Sequence, residues 1–230
     1  MVRSMEIDAL RLERRFARFA LARRRMVERL ERDGLRDRRV LRALAAVPRD
    51  ALVPEALVGR AYREDEALPI GEGQTISAPR TVAAMTSALG LEGHEAVLEI
   101  GTGSGYQAAV LARLCARVVS IERHGSLAAA ARAALACLGA RNVVVHEGDG
   151  TCGRPADAPF DAIVVTAGGP RIPVALLEQL APGGRLVGPF GARGEQRLLR
   201  VRRTRAGLYE REDLGTCRFV DLVGADGWAA

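Results

Sequence analysis

One stretch constrains this chain more than any other: Val97-Leu98-Glu99-Ile100-Gly101-Thr102-Gly103-Ser104-Gly105-Tyr106-Gln107. A short apolar run, a glycine turn and the start of an apolar helix follow one another without a break. A strand–turn–helix unit of this kind places backbone N–H groups and a helix N-terminus at a strand end, where nucleotide-like ligands bind. The glycine spacing then separates ligand classes. The dinucleotide fingerprint G-x-G-x-x-G would put its third glycine at position 106, and that residue is Tyr106. The chain has instead an acid, Glu99, two residues before the first glycine, and then glycine at 101, 103 and 105.

That spacing fits S-adenosylmethionine better than NAD. The amino-acid end of S-adenosylmethionine is a zwitterion with no pyrophosphate, so it needs close backbone approach and hydrogen-bond acceptors. Downstream acids fall where such a ligand would use them. Glu122 ends the next strand candidate, where a carboxylate points at a ribose bound over the first turn. Asp149, in Gly148-Asp149-Gly150, ends the third and can face an exocyclic amine; the flanking glycines allow a tight turn. The fourth strand candidate runs into Thr166-Ala167-Gly168-Gly169, whose small residues leave room for a methyl group and its acceptor.

Around this unit the pattern is regular. Strands are expected at Ala96–Ile100, Arg117–Ile121, Asn142–Glu147, Asp161–Thr166 and Arg185–Phe190, with helices at Tyr106–Leu114, Leu127–Leu138 and Ile172–Leu180. This alternation predicts an α/β fold with a doubly wound, mostly parallel sheet and helices on both faces. Gln196–Arg203 and Arg218–Val223 read as strands closing a sheet edge. Upstream, Asp8 to Asp33 has apolar residues at helical spacing, with Gly34 as its stop. Asp37 can cap a second helix ending before Pro48. A proline-bearing connector follows, and then a helix from Thr81 to Leu89. Residues 67–79 read as neither strand nor helix but as a rigid, donor-rich loop. Ser77 could cap the helix that follows; alternatively the loop covers the cofactor and presents donors to the substrate.

Composition narrows the partners. The chain has 230 residues and a net charge of +6. The excess lies in residues 1–60, which hold 16 Arg against 9 acids; the remainder holds 18 Arg against 19. There is no lysine. An Arg-rich helix can bind nucleic acid, but few aromatics accompany it, and a solvated face laced with Glu is the expectation. No window is long and apolar enough to span a membrane and no apolar leader is present, so a cytoplasmic location is expected. Cys115, Cys137, Cys152 and Cys217 form no C-x-x-C pair and lie near no histidine at ligand spacing. They are expected to be reduced thiols, with Cys115 and Cys137 buried on helices and no metal bound. His94, His124 and His146 are isolated and are expected at the surface or in loops.

Four segments in order carry a family resemblance: Gly73-Gln74-Thr75-Ile76-Ser77, the Val97–Gln107 turn, Gly148-Asp149-Gly150, and Ala158-Pro159-Phe160-Asp161-Ala162-Ile163. With Val47-Pro48-Arg49 before them and Arg218-Phe219-Val220 after, the chain resembles the protein-L-isoaspartate O-methyltransferases from about Met26 to Trp228. The resemblance implies a Rossmann-like, seven-stranded methyltransferase sheet and S-adenosylmethionine as cofactor. It implies methylation of the free α-carboxylate of L-isoaspartyl residues in damaged proteins and peptides; the ester then closes to a succinimide. The family's active-site serine falls on Ser77. Its cofactor contacts fall on Glu99, Gly101, Gly103, Glu122, Asp149 and Gly150, with Thr102, Ser104 and Gly105 completing the turn. Substrate contacts are expected from Pro69, Ile70, Gln74, Thr75, Ile76 and Ser77, and from Thr166 and Ala167. Residues 1–60 are expected to form a helical, Arg-rich extension packed on a methyltransferase domain of residues 61–230, the whole acting as a monomer. The chain departs from the family pattern in three places: one extra residue in Ala61–Leu68, Thr151 after Gly-Asp-Gly, and the Arg-rich first 25 residues. Competing readings are another peptide carboxylate as acceptor, or a nucleic-acid-binding methyltransferase using the Arg-rich helix.

Overall fold

The inner strands of the central sheet bury both of their faces, and the sequence shows it as neighbouring apolar residues that point opposite ways. In the computed structural model, which describes residues 17–229, Val97, Val118, Ala162, Val164 and Val187 belong to one apolar cluster. Their neighbours Leu98, Val119, Ile163, Val165 and Leu186 belong to another on the opposite face. Seven strands make this sheet: β3 (Ala96–Ile100), β4 (Arg117–Glu122), β5 (Val143–Glu147), β6 (Phe160–Val165), β7 (Leu180–Phe190), β8 (Gln196–Arg203) and β9 (Tyr209–Cys217), in the order β5-β4-β3-β6-β7-β8-β9. The strands from β5 across to β7 pair in parallel, and β8 and β9 are antiparallel. The chain begins at β3, winds outward to β5, then returns to the other side of β3 as β6. That reversal opens a crevice at the carboxyl ends of β3 and β6.

Among the described residues, six α-helices flank the sheet: α1 (Ala20–Arg32), α2 (Arg38–Ala46), α3 (Pro79–Leu89), α4 (Tyr106–Leu111), α5 (Gly125–Cys137) and α6 (Val174–Glu178). Met26 and Leu30 of α1 and Val40, Leu41 and Leu44 of α2 lie in the same cluster as Val97 and Val118. Gly34 ends α1 with φ +107, and the Leu35 N–H reaches back to the Leu30 carbonyl at 3.0 Å. Asp37 caps α2, accepting from the Arg39 and Val40 N–H groups at 2.9 and 3.1 Å. The proposed start of α1 at Asp8 lies outside the described residues. Among the described residues no helix is long and apolar enough to cross a membrane.

Several expectations are corrected. Residues 68–76 are not an irregular loop: Leu68–Gly71 (β1) and Gln74–Ile76 (β2) form an antiparallel hairpin. Gly71, Glu72 and Gly73 all take positive φ at its tip. Ser77 does not cap α3; the cap position is Ala78, and Pro79 opens the first turn. Helix α4 stops at Leu111 rather than Leu114, because its end tightens into i→i+3 bonds from Arg113 and Leu114. Helix α6 is bounded by Pro173 and by Leu180, which already belongs to β7. The edge strand is Tyr209–Cys217, not Arg218–Val223. Cys137 is exposed, and Cys115 is buried just beyond the end of α4.

Candidate active site

Three adjoining cavities meet at the crevice, and Thr75 and Thr166 line all of them. The main cleft runs past Ile100, Gly101, Gly103, Glu122, His124, Gly150 and Leu222. An inner lobe reaches under the hairpin to Ser77, Thr102, Ser104, Gln107 and Met85. An outer lobe opens between Ser77, Asp65, Thr81 and the Arg218–Val220 segment.

The turn after β3 explains why glycine recurs at every second position. Gly101, Gly103 and Gly105 have φ of +93, +53 and +84, which L side chains rarely adopt. Space adds to the demand at Gly101, where a Cβ would meet Thr166 Oγ1 at 2.5 Å. Thr166 itself donates from that hydroxyl toward the Ile100 and Gly101 carbonyls, so β6 clamps the turn of β3. Thr102 is buried, its Oγ1 2.5 Å from Ser120 Oγ on β4.

Glu122 supplies the cleft's carboxylate. It is 5% exposed, and its two oxygens accept from the Gly103 N–H at 2.8 Å and the His124 N–H at 3.0 Å. A carboxylate oxygen has two acceptor sites, so these bonds orient the group and leave capacity toward the cleft. Apolar walls from Ile100, Ile121, Leu222 and Val223 face a flat ligand. A carboxylate for a vicinal diol, apolar walls for a purine and a glycine-rich turn for an amino-acid end fit S-adenosylmethionine.

Two expected cofactor contacts sit elsewhere. Glu99 is fully buried under the turn and lines none of the three cavities. Burial pushes its carboxyl up to about 8; the Ser120 hydroxyl, which donates to it, pulls the other way, and the charge of Glu122 adds to the rise. It therefore supports the turn from below and does not face the cleft. Asp149 is committed to holding the chain: Oδ1 accepts from the Thr151 N–H and hydroxyl, and Oδ2 from the Ala225 N–H at 2.7 Å. Burial would raise its carboxyl, but these bonds, led by Ala225, hold it below the usual range. Gly150, not Asp149, borders the cleft.

On the substrate side, Gln74 and Thr75 border the main cleft, Ile76 the inner lobe, and Ser77 both the inner and outer lobes. The Ser77 hydroxyl makes no hydrogen bond among the described residues. Ala167 lines the main cleft. Pro69 and Ile70 lie in β1 and line none of the cavities; Ile70 instead packs against the turn, its Cδ1 3.2 Å from where a Gly103 Cβ would be. Gly105 caps α4 and faces Leu135. The hairpin is latched at its tip, where Glu72 accepts from the Ser126 hydroxyl at 2.6 Å and lies 3.9 Å from His124 Nδ1.

Sequence reasoning missed three contributors. His124 lies in a loop, within the surface-or-loop expectation, but its place on the cleft wall was not foreseen. Arg218–Val223 was expected as an edge strand, but its residues 220–223 line the cleft, held by a bridge from Gly168 to Asp221. Val82 and Met85 of α3 line the inner lobe. The apolar run at 219–223 was visible, but nothing local separates such a run from a strand.

Comparison with known proteins agrees with this geometry. Residues 21–227 match the family described as protein-L-isoaspartate(D-aspartate) O-methyltransferase (PCMT). The protein-L-isoaspartate O-methyltransferase 1 of Syntrophobacter fumaroxidans is 56% identical over 211 residues, covering 91% of this chain and 98% of that protein. A solved protein-L-isoaspartate O-methyltransferase superposes with a TM-score of 0.79 at 30% identity, covering 89% of this chain and 67% of the other. A Plasmodium falciparum structure described as a PCMT in complex with S-adenosyl-L-homocysteine shares the fold, with a TM-score of 0.75 at 23% identity over 87% of this chain and 98% of that one. The sheet order, the glycine turn clamped by Thr166 and the match over nearly all described residues lead to one conclusion: the chain belongs to the protein-L-isoaspartate(D-aspartate) O-methyltransferase family.

Proposed function

We propose that this protein transfers the methyl group of S-adenosylmethionine to the free α-carboxylate of L-isoaspartyl residues in damaged proteins and peptides. The observation that carries this reading is Ser77, whose uncommitted hydroxyl stands where the cofactor-side inner lobe meets the outer lobe. S-adenosylmethionine, when bound, supplies an electrophilic methyl on a sulfonium. Glu122 would accept from its ribose hydroxyls, and the backbone of residues 101–105 would receive its amino-acid end.

The acceptor needs no strong base, because a carboxylate is already ionised at neutral pH. No histidine lines the outer lobe among the described residues, in keeping with that chemistry. A carboxylate oxygen's lone pair forms the new bond to the methyl carbon as the carbon–sulfur bond breaks, and the carbon–sulfur bonding pair stays on the now neutral sulfur. What the protein contributes is alignment across the neck formed by Thr75 and Thr166. Orientation of this kind is worth roughly 7–11 kcal/mol. Ser77 donates a hydrogen bond that fixes the carboxylate and is not a covalent nucleophile. The free thiols suit a reducing compartment, and we place the protein in the cytoplasm.

Paired peptides that differ only in an L-isoaspartyl or L-aspartyl linkage test this reading with labelled S-adenosylmethionine. Base-labile label on the isoaspartyl peptide alone is the expected result. Equal labelling of both, or of neither, would overturn the assignment.

A further inference from the structure

We infer that Arg218 captures the acceptor carboxylate, acting in substrate binding and not in methyl transfer. This rests on the isoaspartyl reading of the outer lobe. Two charged residues line that lobe, Asp65 and Arg218. Asp65 is engaged elsewhere: both of its oxygens accept from Arg80, which is shared with Asp33 at 2.7 Å. Arg218 has neither a hydrogen bond nor an ion pair among the described residues. Nearby arginines of the same end of the sheet are spoken for: Arg193 pairs with Asp221, Arg197 with Asp213 and Arg171 with Asp226. The lobe therefore presents one guanidinium that no carboxylate among the described residues pairs with.

The backbone that carries Arg218 is held firmly. Gln196, 1% exposed, accepts from the Phe219 N–H at 2.7 Å and donates back to the Phe219 carbonyl at 3.4 Å. The Val220 carbonyl accepts from the Gly168 N–H at 2.7 Å. A free side chain on a pinned backbone, across a groove from Ser77, is a receptor for an anion. A guanidinium fork matches a carboxylate bidentately.

The electrostatics assign its kinetic role. As the carboxylate attacks a sulfonium methyl, its negative charge falls. A cation bonded to it then stabilises the bound reactant at least as strongly as the transition state, so it lowers KM without raising kcat. Ser77, a neutral donor that aligns the attacking oxygen, should show the opposite split.

The test is steady-state kinetics of R218Q and R218K on an L-isoaspartyl peptide, with S-adenosylhomocysteine affinity measured by calorimetry. Losing a charge-assisted bond predicts a rise in peptide KM of about tenfold or more in R218Q. kcat should stay within about twofold, S-adenosylhomocysteine affinity should be unchanged, and R218K should recover part of KM. A peptide with an α-carboxamide in place of the carboxylate should compete weakly and equally against wild type and R218Q. An unchanged KM, or a loss confined to kcat, would overturn the role of Arg218 while leaving the isoaspartyl reading intact. Failure of the wild type to methylate the isoaspartyl peptide would overturn both.

Discussion

Ser77 and Glu122 stand on opposite sides of the transfer step, and their substitutions should separate cleanly. Ser77→Ala removes one donor to a carboxylate; turnover should fall about ten- to a hundredfold, with S-adenosylhomocysteine affinity nearly intact. Glu122→Ala should weaken that affinity by about tenfold or more in a calorimetric titration. Glu99 is a different case, because its carboxyl is pushed from the ordinary 4.5 up to about 8 by burial. A carboxyl raised on folding contributes stability that is complete below the unfolded value and is lost as pH climbs through the folded one. The wild type should therefore lose thermal stability between about pH 4.5 and 8 through this group, and Glu99→Gln should flatten that part of the profile. A melting series across this range, showing parallel curves for the two proteins, would remove Glu99 as the cause. The acid's identity was legible in the sequence; its protonation was not, since that depends on what β4 and α4 pack around it.

The glycine turn and the two capped N-terminal helices were readable because their causes are local. Positive φ at residues 101, 103 and 105 demands glycine wherever the rest of the chain goes. Asp37 reaches N–H groups two and three residues ahead. Asp37→Ala should cost about 1 kcal/mol in urea unfolding, with kinetic constants unchanged because the cap touches no part of the cleft. The edge strand β9 escaped the reading because it buries almost nothing. Its residues are held by cross-strand pairs such as Arg200 with Glu212 and Arg197 with Asp213, which leave no apolar alternation to see. The 219–223 segment failed in the opposite way: it looks like a strand and pairs only through single bridges across the crevice.

The short turn that follows α2 meets the first residue of α4 through a buried cation. Arg49, 0% exposed, donates from Nε to the Ala61 carbonyl at 2.8 Å and lies 4.9 Å from the ring centre of Tyr106, the first residue of α4. Burial lowers its guanidinium to about 10, opposed by the neighbouring tyrosines. Arg49→Ala would leave a cavity and unpaired carbonyls between the two parts. We expect a loss of roughly 3 kcal/mol or more in chemical denaturation, and a Met at this position should recover part of it by restoring volume.

The methyl donor was readable from residues 97–107, since backbone dihedrals and glycine spacing are properties of a short segment. The acceptor was legible only through the family resemblance of Gly73–Ser77, and no segment showed how its contacts come together. Thr75 with Ser77, Thr166, and Arg218 come from three distant stretches of the chain, and they meet because the sheet reverses between β3 and β6 and the hairpin and the 218–223 segment close over that reversal. Family resemblance could point to Ser77. Arg218 emerged as a candidate receptor only when the fold showed which of the chain's many arginines had been left without a partner. An uncompensated charge is a property of its surroundings, and those are assembled by packing across the whole sheet.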